Sequence, residues 1–152
     1  MTEPVVLLNV DTRGVATITL NRPKVNNAYN GEVIEAMIDV VGECASNADI
    51  RVLVIKGNGK HFQAGADLKW LKEIGSLSPD ENINVSRLTA TAIRGLTEIS
   101  KPTVALVHGG CFGGGTGIAA ACDIVLASND AIFSITETRW GVMASVIIPQ
   151  LN

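Results

Sequence analysis

The chain has 152 residues, enough for one domain with a sizeable core. Its residues are 47% hydrophobic and 18% charged, which excludes a disordered chain. A net charge of -3 with no basic cluster argues against nucleic acid or an anionic membrane as partner, and no apolar run is long enough to span a bilayer.

The start, MTEPVVLLNVD, sets an acidic residue before a short apolar run and does not read as a signal peptide. Val5 to Val10 and Val15 to Leu20 are β-rich runs joined by Asp11-Thr12-Arg13-Gly14, which predicts a hairpin. Val33, Met37, Val40, Val41 and Cys44 recur at helical spacing, so the pattern predicts an amphipathic helix over 31–46 with Asn30 as its N-cap. Arg51 to Lys56 reads as a short buried strand. His61 to Leu71, HFQAGADLKWL, reads as a loop turning into a helix at about Asp67, whose plainest role is the N-cap. Ser78-Pro79-Asp80-Glu81 is a capping box with proline at the first helical position. The helix it opens has Val85, Leu88, Ala92, Leu96 and Ile99 on one face and stops at Lys101-Pro102. Thr103 to Val107 is a strand, Gly114 to Cys122 is helix-like, and Ile124 to Ala127 and Ala131 to Phe133 are short strands. Strands alternating with helices predict an α/β fold. Cys44, Cys111 and Cys122 have no CxxC spacing and read as reduced thiols, which sets the expectation of a cytoplasmic protein. His108 and Cys111 stand at a spacing a metal could use, but two histidines and no cysteine pair predict no metal site.

The feature that asks for chemistry is the glycine run after the 103–107 strand, with five glycines between Gly109 and Gly115 and a sixth at Gly117. A nucleotide-phosphate cradle rests on the glycine run alone and is disfavoured: Gly110 and Gly115 have Walker A separation, but Thr116 stands where the lysine belongs, and G-x-G-x-x-G has no match. A serine hydrolase lacks its G-x-S-x-G elbow. Two readings remain at such a strand-to-helix junction. Unsatisfied backbone N–H groups could hold an oxygen that becomes negative, or the glycines could only let helix pack close on strand. The second small-residue turn, Ala64-Gly65-Ala66-Asp67, also follows a strand and opens a helix. It offers the second donor such a hole needs, which favours the first reading.

Four segments in order carry a resemblance: ITLNRPKVNNAYN, HFQAGADLKWL, KPTVALVHGGCFGGGTGIAAACDIVLAS and AIFSITETRWGVMASVIIP. Together they resemble the enoyl-CoA hydratase/isomerase, or crotonase, superfamily nearly end to end. The resemblance implies a ββα spiral core, an acyl-CoA thioester as substrate, no cofactor, and assembly into trimers or hexamers. It implies an oxyanion hole from the N–H groups of Ala66 and Gly114. It also implies substrate or CoA contacts at Lys24, Val25, Ala64, Ala66, Asp67, Leu68, Gly113, Gly114 and Gly117, with acyl-pocket walls at Trp70, Leu71, Met143 and Val146.

The chain departs from the hydratases' pair of glutamates. The first falls here on Gly117, which cannot move a proton; the second falls on Glu137. Alone, Glu137 reads as a surface glutamate in a polar loop; the family register makes it the single acid/base, beside apolar groups such as Phe133 or Trp140. ITETRWG…SVIIPQL is similar to the branch acting on branched or carboxylated enoyl-CoAs, such as methylglutaconyl- and isohexenylglutaconyl-CoA hydratases. The resemblance therefore ranks hydration first, double-bond isomerisation second, and acyl-CoA binding without turnover third. It also implies that residues 1–152 form an N-terminal core without the family's C-terminal helical part, leaving the apolar run Val146 to Asn152 uncovered.

Overall fold

The computed structural model describes residues 3–151. Met1 and Thr2, which open the first run read from the sequence, and Asn152, which closes the last, lie outside them.

Two sheets and a helical layer make up the fold. Strands β1 (Val6–Val10) and β2 (Val15–Leu20) pair as the predicted hairpin, closed by Gly14 at φ +80°. Strands β3 (Val52–Gly57) and β4 (Thr103–Val107) then join β2 in parallel, and β6 (Ile124–Ala127) joins β4. The order is β1-β2-β3-β4-β6, so each circuit of the chain through the helices adds one parallel strand. A second, two-stranded sheet pairs β5 (Gly110–Phe112) with β7 (Ile132–Ser134), also in parallel.

Alternation decides which sheet face is buried. Ala16, Ile18 and Leu20 of β2, Leu53 and Ile55 of β3, and Ala105 and Val107 of β4 point into the core. Helix α1 (Gly31–Ser46) covers them with Val33, Ile34, Met37, Val41 and Cys44. Each of the valine, leucine, isoleucine and methionine side chains contributes about 1.5–3 kcal/mol by leaving water. Asn30 caps α1 by accepting the Val33 N–H, and Lys101 Nζ donates to the carbonyls of Cys44 and Asn47 at its other end.

Helix α2 (Leu68–Ile74) starts at Asp67, and α3 (Pro79–Glu98) at the capping box of Ser78 and Glu81. The buried face of α3 is Thr89, Ala92, Ile93 and Leu96. Val85, expected on that face, instead lines the cleft described below. The first half of the helix looks onto a hollow, and only its second half packs on α1. Helix α4 (Gly114–Ala120) ends two residues earlier than the pattern predicted. Asp123 takes the chain into β6 there, accepting the Thr103 N–H at 2.7 Å and the Thr103 hydroxyl at 2.9 Å.

The last apolar run is uncovered as expected except at one residue. Ile147 is wholly buried against Gly117 and Ile93, and the short α5 (Ile148–Leu151) contacts α4. The rest of the run stays open, with Ile148 and Leu151 exposed, and further apolar surface is open at Ile124, Val125 and Leu126 of β6, Ile132 and Phe133 of β7, and Trp140, Val142 and Met143.

Candidate active site

Two strand-to-helix junctions meet at one cleft. The first runs from β3 through residues 58–67 into α2; the second runs from β4 through β5 into α4. An isolated parallel bridge between Gln63 and Cys111 stitches them together: Gln63 N–H donates to the Gly110 carbonyl and Phe112 N–H donates to the Gln63 carbonyl. His61 Nδ1 adds a third tie by accepting the Gly110 N–H at 2.8 Å, which leaves the ring proton on Nε2.

Glycine is required where these junctions turn. Gly65 stands at φ +86° and Gly113 at φ +51°, regions that L side chains avoid. A Cβ on Gly113 would also come within 2.7 Å of Glu137 Oε1. Bare backbone at Gly113 is therefore what lets the carboxylate approach. One residue after each of these glycines comes a candidate donor. The N–H groups of Ala66 and Gly114 take no protein acceptor among the described residues, whereas their neighbours do: Gly65 N–H goes to Gln63, Asp67 N–H to Tyr29 O, and Gly113 N–H to Ser134 O.

The cleft has a volume of about 750 Å³. Ala64, Ala66, Leu68, Gly113 and Glu137 line it, and so do the four expected walls, Trp70, Leu71, Met143 and Val146. Glu137 opens a 3-10 turn, Glu137–Trp140, and its Oε2 is sealed from solvent with no hydrogen-bond partner among the described residues. An unpartnered buried carboxylate oxygen is costly, and such groups concentrate where a ligand or water completes them. Trp140 lines the cleft beside Glu137; Phe133 does not.

The other residues expected at the site lie elsewhere. Gly114 is buried beneath the Tyr29 ring and borders a separate pocket of about 30 Å³ behind it. Gly117 is not at the cleft: Ile147 fills the space where its side chain would stand, and Ile93 backs it. The position that would carry a hydratase's first glutamate is thus part of the core. Asp67 is structural: it accepts the Lys69 N–H as N-cap and pairs with Arg22 at 3.0 Å. Burial raises the Asp67 carboxyl, but hydrogen bonds from Arg22, Lys69 and Trp70 outweigh it and hold it below its usual value. Lys24 and Val25 sit on an exposed 3-10 turn, Pro23–Val25, outside the cleft lining. That turn is tied to the cleft wall because Ala64 N–H donates to Asn26 O. His108 and Cys111 do not come together as ligands: His108 Nε2 meets Gly59 O and Cys111 is buried in β5. Among the described residues no three His, Cys, Asp or Glu side chains cluster.

Two residues at the site went unread in the sequence. Gln63 is buried, and its amide grips Gly65 from both sides, Oε1 accepting the N–H at 2.7 Å and Nε2 donating to the carbonyl at 3.1 Å. Tyr29 frames both donors. Its backbone brackets Ala66 through bonds to Gly65 O and from Asp67 N–H, and its ring covers Gly114. Gln63 had a signal, a polar residue between Phe62 and small residues that would need partners if buried. Tyr29 looked like a helix entrance and had none.

A sequence profile of the enoyl-CoA hydratase/isomerase family matches residues 11–151. The chain is 36% identical to the short-chain-enoyl-CoA hydratase of Clostridium acetobutylicum, over 84% of this chain and 48% of that protein. It is 33% identical to the mitochondrial Delta(3,5)-Delta(2,4)-dienoyl-CoA isomerase of Dictyostelium discoideum, over 90% of this chain and 49% of that one. An enoyl-CoA hydratase crystal structure from Shewanella pealeana superposes with a TM-score of 0.93 at 32% identity, over 97% of this chain and 55% of that chain. The chain spans about half the length of the curated relatives it matches. Among the described residues no helix is long and apolar enough to cross a membrane. With two glycine-built junctions around one cleft and a match to the profile along almost its whole length, the chain belongs to the enoyl-CoA hydratase/isomerase family and carries the crotonase fold.

Proposed function

We propose that the protein adds water across the double bond of an enoyl-CoA thioester whose acyl group is branched or carboxylated. The observation that carries this reading is the unpaired N–H of Ala66 at a cleft into which Glu137 presents an unpartnered carboxylate, with the unpaired N–H of Gly114 following directly on Gly113 of the same lining. The thioester oxygen takes hydrogen bonds from the two N–H groups. Glu137 removes a proton from water as the water oxygen bonds to the β-carbon, and the π electrons move to the thioester oxygen as an enolate. The two donors stabilise that charge, and protonated Glu137 then returns its proton to the α-carbon. One carboxylate serves as base and then acid. Leu68, Ala64 and Gly113 flank the acyl end, Lys24 and Val25 meet the CoA portion outside the cleft, and no cofactor is required. Assembly into trimers or hexamers would cover the apolar strands β6 and β7.

A second reading, double-bond isomerisation, draws on the burial of Gly117 beneath Ile147, because shuttling one proton needs only one carboxylate. Acyl-CoA binding without turnover is the third. A panel of straight, branched and carboxylated enoyl-CoAs, followed by loss of enoyl-thioester absorbance, decides among them. Hydration of the branched or carboxylated members supports the proposal. Migration of the double bond without water addition supports isomerisation, and tight binding with no change in either supports the third.

A further inference from the structure

A hydratase with one carboxylate has a missing part. Glu137 can take one proton from the attacking water, but something must orient the water's other O–H. Residue 117 cannot, because it has no side chain and its space is occupied by Ile147.

Among the cleft residues Tyr29 stands in the right relation to every other group. Its backbone brackets Ala66 through the Gly65 carbonyl and the Asp67 N–H. Its ring lies on the Gly114 α-carbon, where a Cβ would come within 2.5 Å of Cε1 and 3.3 Å of Cζ. Trp70 holds the ring edge-on, with centroids 5.7 Å apart. Tyr29 is half-buried at the cleft, and among the described residues no side-chain or backbone hydrogen bond reaches its hydroxyl; burial first, and then the charge of Glu137, push the phenol up to about 12. The phenol therefore stays neutral and feels the Glu137 charge. Both residues line the same cleft, and among the described residues Glu137 Oε2 is buried without a partner.

We propose that the Tyr29 hydroxyl is the second water-holding group of the site, its oxygen accepting one O–H of the water whose other proton passes to Glu137. The inference rests on the hydration reading above. Tyr29 gains and loses no proton: the water oxygen bonds to the β-carbon, one water proton goes to Glu137, and the other stays on the product hydroxyl. Tyr29 thus acts in water addition only and has no part in abstraction of an α-proton, which Glu137 and the two N–H donors accomplish alone.

That division gives the test. In the intact protein, hydration of crotonyl-CoA and exchange of the α-proton of butanoyl-CoA in heavy water are measured for wild type, Tyr29→Phe and Glu137→Gln. Loss of one hydrogen bond to the water predicts that Tyr29→Phe hydrates roughly 10–100-fold more slowly, with α-exchange and KM within about twofold of wild type. Equal loss of hydration and exchange, or loss of neither, overturns the proposal. A wild-type protein that exchanges but adds no water also overturns it while leaving the oxyanion site standing. Glu137→Gln that retains both activities sinks the hydration reading itself. A second measurement needs no Tyr29 variant. Tyr29 is the sole tyrosine, so tyrosinate absorbance reports it alone. Glu137→Gln should lower its midpoint, and an unmoved midpoint in a protein still folded by circular dichroism would refute the pairing.

Discussion

Gln63→Met isolates the device that aims the Ala66 donor. Methionine keeps the length and volume of glutamine but cannot make either bond to Gly65. The Gly65 carbonyl keeps a partner, since the Tyr29 N–H also donates to it at 2.9 Å. The Gly65 N–H loses its 2.7 Å acceptor and is left buried and unpaired. An orphaned buried donor costs about 1–3 kcal/mol. For a chain of this size that is a fall in Tm of roughly 2–12 °C. The activity should suffer beyond the loss of folded protein, because Ala66 N–H is the next group along and the Gly65 turn, at φ +86°, loses the bond on its N–H side and is held by Tyr29 alone. One oxyanion donor is worth about 10²–10³ in kcat, which sets the ceiling for the effect. The assay is kcat and KM for an enoyl-CoA well below the new Tm, with the binding of a saturated acyl-CoA as control. Lowered kcat at unchanged KM is expected. An unchanged Tm and kcat would show that Gln63 holds nothing that matters.

The remaining predictions concern neighbouring positions. Gly114→Val drives a side chain into the Tyr29 ring and displaces the second donor, so kcat should fall by about 3–4 kcal/mol of barrier lowering; steady-state kinetics with an intact circular dichroism spectrum checks it. Gly117→Glu does not restore a second acid: its Cβ alone would come within 2.8 Å of Ile147 Cβ, so the overpacked core should lose about 1–3 kcal/mol in urea titration with no gain on straight-chain enoyl-CoAs. Tyr29 has a folded pKa of about 12, above the roughly 10 of an unfolded chain. Its contribution to stability is complete below about pH 10 and is lost as pH rises toward 12, so the urea midpoint should drop across that window more in wild type than in Tyr29→Phe.

Local signals made most of the scaffold readable. The 3.6-residue period and Asn30 defined α1 to the residue, and the Ser78-to-Glu81 box defined the start of α3, because caps and amphipathic stripes act within one or two turns. Asp67 was legible as an N-cap for the same reason. What escaped depends on distant partners. Strand β5 lies inside the glycine run and is completed by β7, which pairs with it one circuit of the fold later. The same pairing shifts β7 to Ile132–Ser134, one residue beyond its local pattern. The parallel register with β2 likewise carries β3 on to Gly57, opposite Leu20. At the site, the two glycine turns and Glu137 were visible as motifs. Nothing local could show that Ile147 fills the space beside Gly117, or that Tyr29 would span both donors.

The central claim is that the N–H groups of Ala66 and Gly114 together polarise a thioester carbonyl. Infrared difference spectroscopy of a bound acyl-CoA, labelled with carbon-13 at that carbonyl, reads the polarisation without any turnover. The account predicts a carbonyl stretch shifted to lower frequency on binding, largely lost in Gly114→Val and retained in Glu137→Gln, which removes the acid/base charge and leaves both donors. A bound thioester whose carbonyl stretch stays at its value in water, or one that responds to Glu137→Gln and not to Gly114→Val, would contradict it.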